Sequence, residues 1–301
     1  MMMNASSDEW TVVTAANKKR VMRKKGTRKR CPTTTSSRPS SRSPLTTEEL
    51  LRGLSECQDF ILSQTSLWCE VDEKIRRILP LDTRPVKEIV CLGLGNFSLT
   101  GASYYEAPLF QLALARCLQQ YFAPSHGSYP PLIVHDPCFL STEVAFLHDH
   151  VGAKSPPCSA TGAYTATGDT IFFLPHCPRG LHENLVRANW KSPHVLVVIS
   201  NSLTDLADRM LPAASSALGQ LTSSTTPRPN SKDLFQEFPL LPLPPTEVEK
   251  APGNLLGAFN DTAVHRIGAA DSQLEDASSA AWPELCPPTT TVVDPELVYE
   301  E

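Results

Sequence analysis

Four short apolar runs constrain this chain more than any other feature. Residues 87–92, 132–135, 170–174 and 195–200 are rich in β-branched and aromatic side chains, are strand-sized, and are separated by stretches of helical length. Runs of this kind read as strands buried on both faces, and their alternation with helices of ten or more residues implies βαβ crossovers. The expected fold is α/β, a Rossmann-like three-layer sandwich around a mainly parallel sheet. Helices are predicted over residues 109–122, 141–152, 181–190 and 203–210, with Pro108 tolerated in a first turn that needs no N–H. Residues 259–267 are expected to add a last strand.

The flanking segments divide the chain. Residues 1–44 read as a disordered basic arm, too polar to offset the entropy of ordering. Residues 45–84 read as an N-terminal helical segment. Thr46 and Glu49 make a capping box there, and Leu50, Leu54, Cys57 and Ile61 follow at helical spacing. Residues 85–270 form the main domain. The 27 prolines are too many for one compact body of this length. Eight of them fall in residues 212–252, which read as a linker or exposed insertion rather than core. Residues 271–301 are expected to be a mostly irregular tail.

Each strand ends in an unusual polar or glycine-containing group: Gly93-Leu94-Gly95-Asn96, Asp136-Pro137, Pro175-His176-Cys177 and Asn201-Ser202. A parallel sheet places all four at its carboxyl edge, where open α/β folds bind ligands. Glycines let a ligand approach the backbone, Asp136 suits ribose hydroxyls, His176 suits an acid, base or ligand role, and Asn201 and Ser202 supply neutral hydrogen bonds. The ligand-binding candidates are therefore Gly93, Gly95, Asn96, Asp136, His176, Cys177, Asn201 and Ser202. A bland reading stands beside this one, because tight strand–helix turns use glycine without any ligand. Ser98 replaces a third glycine, and the acid follows Gly93 by 43 positions rather than the usual ~20.

Other chemistries find less support in the residues. The nine cysteines include no C-x-x-C pair, so no structural zinc is expected, and a reducing compartment follows. His148 and His150 are two apart and point to different helix faces, so no shared metal is expected. Ser202 lacks the G-x-S-x-G elbow of hydrolases. Cys177 precedes a proline and follows His176, a pairing that admits a haem ligand. The glycine turn admits a nucleotide over Gly93–Asn96 as the other possible cofactor.

Charge is lopsided. Residues 1–44 carry 11 Lys/Arg against Asp8 and Glu9, whereas the whole chain sums to -5. Lys18, Lys19, Arg20, Arg28, Lys29 and Arg30 form two clusters suited to nuclear import or weak polyanion contact. The acidic remainder is repelled by nucleic acid. Residues 239–245 could form a polyproline ligand for a partner, or a plain linker. No apolar run approaches the ~20 residues of a membrane span, so a cytoplasmic, partly nuclear protein is expected.

The strand-end groups resemble the sensitivity-to-red-light-reduced (SRR-like) family. The residues that carry the resemblance begin with Gly93-Leu94-Gly95-Asn96-Phe97 and Gln111-Leu112-Ala113, followed by Asp136-Pro137-Cys138-Phe139 and Glu143. Pro175-His176-Cys177, Asn189-Trp190, Asn201-Ser202 and Phe259-Asn260-Asp261-Thr262 complete the series. The resemblance spans residues 85–211 and 255–267. The chain departs from the family at residues 153–169, which are Gly/Ala/Thr-rich, and at 212–252, which look expanded. The resemblance implies regulation of circadian clock gene expression and of haem biosynthesis, with protein partners and no catalytic residue to carry over. The alternatives are an enzyme using a nucleotide or S-adenosylmethionine-like ligand, with His176 as acid/base, and a scaffold working through the arm and the proline-rich segment.

Overall fold

The structure, a computed structural model, describes residues 45–63, 65–79, 85–98, 106–123, 128–156, 163–190, 192, 194–208, 216–222, 235–240, 244–251 and 255–268. The six basic residues of the arm and the tail from residue 271 lie outside the described residues.

The capping box starts α1 (Thr47–Ser63) where expected. Thr46 N–H donates to Glu49 Oε2 at 2.8 Å, and Glu49 N–H donates to Thr46 Oγ1 at 3.2 Å. Two donors at the helix start are thereby satisfied reciprocally. Leu50, Leu54, Cys57 and Ile61 form its buried stripe. α2 (Thr65–Ile78) adds the fully buried Val71 and Ile75. Both helices share one core with α3 (Glu106–Tyr121) and one face of the sheet.

The strands β1 (Glu88–Leu92), β2 (Leu132–His135), β3 (Thr170–Leu174) and β4 (Leu196–Asn201) pair in parallel. β5 (Phe235–Pro239) and β6 (Thr262–Ile267) complete a six-stranded sheet of order β2-β1-β3-β4-β6-β5, with β6 antiparallel to both of its neighbours. Side chains alternate between faces. Ile89, Cys91, Phe173, Val197 and Ile199 pack toward α1 and α3. Val90, Leu92, Phe172, Leu174 and Val198 pack beneath α5 (Arg179–Ala188), α6 (Leu203–Asp208) and α7 (Ala217–Thr222). Apolar side chains on both faces explain the unbroken runs, each buried Leu, Ile or Phe contributing about 1.5–3 kcal/mol. The protein is α/β with three layers, as expected.

α4 (Ser141–Phe146) continues into a π-helical turn, Leu147–Val151, ended by Gly152 at φ 71°. Residue Lys154 then lies along β2. Val134 N–H donates to Lys154 O at 2.9 Å, and Lys154 N–H donates to Leu132 O at 2.8 Å, which covers that edge strand.

One expectation needs correction. Residues 212–252 are not merely a linker, since Ala217 and Leu218 are fully buried and β5 is the other edge of the sheet. The prolines sit where they do no harm: Pro239 ends an edge strand, and Pro245 opens α8 (Pro245–Lys250). The last strand is also shorter than residues 259–267. Phe259 closes α9 (Leu255–Phe259), and β6 starts only at Thr262.

Candidate functional site

β1 has β2 on one side and β3 on the other, so the chain reverses its winding there and opens a crevice at the carboxyl ends. The turn leaving β1 is built for close approach. Gly93 and Gly95 adopt φ of 70° and 81°, a region that costs an L-residue about 1–2 kcal/mol. A Cβ on Gly93 would also collide with Cys177 Sγ. Cys177 donates its thiol proton to Leu92 O at 3.1 Å. Burial, with help from the Asp136 charge, pushes this thiol up to about 12, so it stays protonated at neutral pH. An axial thiolate to haem iron does not fit a buried sulfur aimed at the β1 backbone. Gly93→Ala is expected to cost about 3 kcal/mol in urea unfolding. In the Gly93→Ala/Cys177→Ala double variant the loss should fall at least about 1 kcal/mol short of the two single losses added together. Strict additivity would show that backbone strain alone demands the glycine.

Two carboxylates hold the loop. Asp136, following β2, accepts Gly95 N–H on Oδ2 and Cys138 N–H on Oδ1, both at 2.7 Å. Glu143 on α4 is fully buried. Its Oε1 accepts Phe97 N–H at 2.8 Å and Ser98 N–H at 2.7 Å. Its Oε2 accepts Asn96 Nδ2–H and Leu140 N–H, each at 2.8 Å. Asn96 therefore faces α4 rather than the crevice, reaching Cys138 O as well at 3.3 Å.

At the far wall, His176 follows β3 with φ 56°, a left-handed conformation unusual outside glycine. Its backbone N–H donates to Asn201 Oδ1 at 2.7 Å, and Asn201 Nδ2 lies 3.3 Å from its Nδ1. With its amide turned to face Leu256 O and Gly257 O, Asn260 Nδ2 lies 3.3 Å from His176 Nε2. The exposed ring is thus bracketed by two amides.

Ser202 points elsewhere. Its Oγ–H donates to Glu237 Oε1 at 2.7 Å and its Oγ accepts Asp205 N–H at 3.0 Å, capping α6. Glu237, on β5, also accepts Thr204 N–H at 3.0 Å and Thr204 Oγ1–H at 3.1 Å, and its Oε2 lies 3.2 Å from the Nε2 of fully buried His265. Burial raises the Glu237 pKa, but hydrogen bonds from His265, Ser202 and Thr204 outweigh it and hold the carboxyl at about 2.

The carboxyl ends of β1, β2 and β3 enclose a cleft of about 300 Å³, at the small end of ligand sites. Gly93, Gly95, Asp136, His176 and Cys177 all line it, together with Pro108 and Gln111 of α3 and Gly257 of α9. Asn96, Asn201 and Ser202 brace its walls from behind. The residues missing from the candidate set are Glu143 and Glu237, the two carboxylates that anchor those walls, and Gln111, whose Nε2–H donates to Ala258 O at 3.1 Å and ties α9 over the cleft. Among the described residues no group of three His, Cys, Asp or Glu side chains is placed to hold a metal ion. No described helix is long and apolar enough to cross a membrane.

Comparison with known proteins points in one direction. Residues 69–266 match the family model of the SRR1 domain. An SRR1-like protein of Drosophila melanogaster is 32% identical over 145 residues, covering 47% of this chain and 48% of that protein. Protein SENSITIVITY TO RED LIGHT REDUCED 1 of Arabidopsis thaliana is 30% identical over 122 residues, 40% of each chain. An SRR1-like protein of Mus musculus is 30% identical over 125 residues, 40% of this chain and 47% of that protein. Each match spans less than half of the relative's length. Among solved structures, that of the 23S rRNA methyltransferase ErmE aligns over 68% of this chain and 72% of its own, with a TM-score of 0.31 and 14% identity. That likeness is too slight to bear on ligand or activity.

Proposed function

This chain belongs to the SRR1 domain family, and we propose that it is a regulatory protein that senses a small ligand in the cleft above β1, β2 and β3. Within the family's setting, the regulated processes are clock gene expression and haem biosynthesis, reached through protein partners. The observation that carries this reading is the convergence of three strand ends on one cleft. Left-handed Gly93, Gly95 and His176 surround it, and unusual backbone conformations collect where a fold serves a ligand. The basic clusters Lys18-Lys19-Arg20 and Arg28-Lys29-Arg30 serve nuclear import of a protein otherwise resident in the cytoplasm.

An enzymatic reading rests on His176, exposed at the rim. Its ring faces amides rather than a carboxylate, so among the described residues no acid stands against the imidazole as in a Ser-His-Asp triad. Regulation by occupancy is the better account.

Native mass spectrometry of the full chain, purified gently from eukaryotic cells, tests the proposal. A stoichiometric small molecule should accompany the protein and disappear in a folded Asp136→Ala/His176→Ala variant. A clean apo mass would overturn ligand sensing and leave an interaction scaffold. A bound molecule that the His176→Ala chain still holds but no longer converts would favour the enzyme.

A further inference from the structure

The geometry points to a phosphate-free nucleoside as the occupant of the cleft, a ribose hydroxyl on Asp136 and its base between the apolar walls; this rests on the ligand-binding reading above. Crevices at the reversal of strand order in open α/β sheets take nucleotide-like molecules, and the phosphate normally rests on backbone N–H groups of the glycine turn. Here four such donors around the cleft are already committed. Gly95 N–H and Cys138 N–H donate to Asp136, and Phe97 N–H and Ser98 N–H donate to Glu143. Two of the protein's own carboxylates occupy the place an anion would take.

The lining repeats the message. Among the described residues it contains no Lys or Arg, its one carboxylate is Asp136, and α3 enters it with Pro108, which has no N–H to offer. Burial holds the His135 imidazole below its usual range, so at neutral pH it adds no positive charge. A phosphate would meet the like charge of Asp136 and, among the described lining residues, no Lys or Arg. Hydroxyls meet the opposite situation. A carboxylate has about four acceptor positions, and Asp136 spends two on the backbone. The Cys138 thiol takes a third, and the last is open to an O–H group of a ribose. Leu94, Pro137, Tyr164, Pro178 and Leu181 then supply a slot for a flat ring. A volume of about 300 Å³ suits one nucleoside and not a dinucleotide.

Because Asp136→Asn would also disturb the loop it braces, the decisive test varies the ligand. Isothermal titration of the full chain would use the four ribonucleosides and S-adenosylhomocysteine, then the 2′,3′-dideoxy and 5′-monophosphate forms of whichever nucleoside binds or is carried by the conjugate that binds. At least one phosphate-free compound should bind, weakening tenfold or more without the diol and tenfold or more with the phosphate. A nucleotide that binds as tightly as its nucleoside overturns the inference, and an unchanged dideoxy affinity removes the Asp136 contact. If no compound binds while native mass spectrometry still finds a small molecule, the nucleoside fails and ligand sensing stands. If both are empty, both fail.

Discussion

Glu143→Ala will lower the unfolding free energy by about 4 kcal/mol, enough to leave a chain of ordinary stability near its threshold. The figure follows from what the carboxylate holds. Three backbone N–H groups, those of Phe97, Ser98 and Leu140, and the Asn96 amide converge on it in a site with no exposure. Each donor left without an acceptor costs about 1–3 kcal/mol. The methyl group of alanine satisfies none of them. Glu143→Gln keeps one acceptor oxygen but turns an NH₂ against donors on the other side, so it should lose about half as much. Urea unfolding monitored by the far-UV signal reads both. A loss below about 1 kcal/mol for Glu143→Ala would mean that water takes over the four contacts, and Glu143 would no longer be the strut of the cleft.

This residue also shows what the sequence concealed. Glu143 lies in the first turn of a short helix, where acids commonly face solvent and favour the helix dipole. Only the fold of residues 96–98 over α4 buries it, and its partner Asn96 is 47 positions away. Glu237 was hidden for a related reason. Its strand is five residues long within a proline-dense stretch, and Ser202, 35 positions earlier, gives no local sign of its partner. The directions of Asn96 and Ser202 were not legible, because a side chain's aim depends on such distant acceptors. The strand-end positions were legible, since parallel strands deliver Gly93, Asp136 and His176 to one edge whatever the side chains do afterwards. The two-sided burial of the strands was equally legible, because nothing but an apolar run can fill both faces.

Acidification will destabilise the protein in two steps, the first of them set by His182. This imidazole is 1% exposed, donates Nδ1–H to Pro178 O at 3.2 Å, and has no partner at Nε2 among the described residues. Burial, opposed by the Pro178 hydrogen bond and reinforced by neighbouring His265, lowers its pKa from 6.5 to about 4. Between those values the unfolded chain takes up a proton that the folded chain refuses, so stability falls as pH falls. At about 1.4 kcal/mol per unit, the loss by pH 4 is about 3 kcal/mol. Glu237 governs the second step. Its folded pKa of about 2 lies below the ordinary 4.5, so its stabilisation is complete above pH 4.5 and is lost toward pH 2. Urea midpoints measured from pH 7.5 to 4.5 should show the first limb in the parent protein and a clearly shallower one in His182→Leu, which removes an orphaned polar atom and keeps the volume; the remaining slope belongs to His135, which burial also holds below its usual range. The same slope in both proteins would place the acid sensitivity elsewhere. Glu237→Gln separates the steps: it should weaken the protein at neutral pH by loosening β5 from Ser202, Thr204 and His265, yet leave the limb between pH 6.5 and 4.5 intact. Because Ser202 directly follows Asn201, which holds His176 at the rim, that loosening should also reduce ligand occupancy of the cleft.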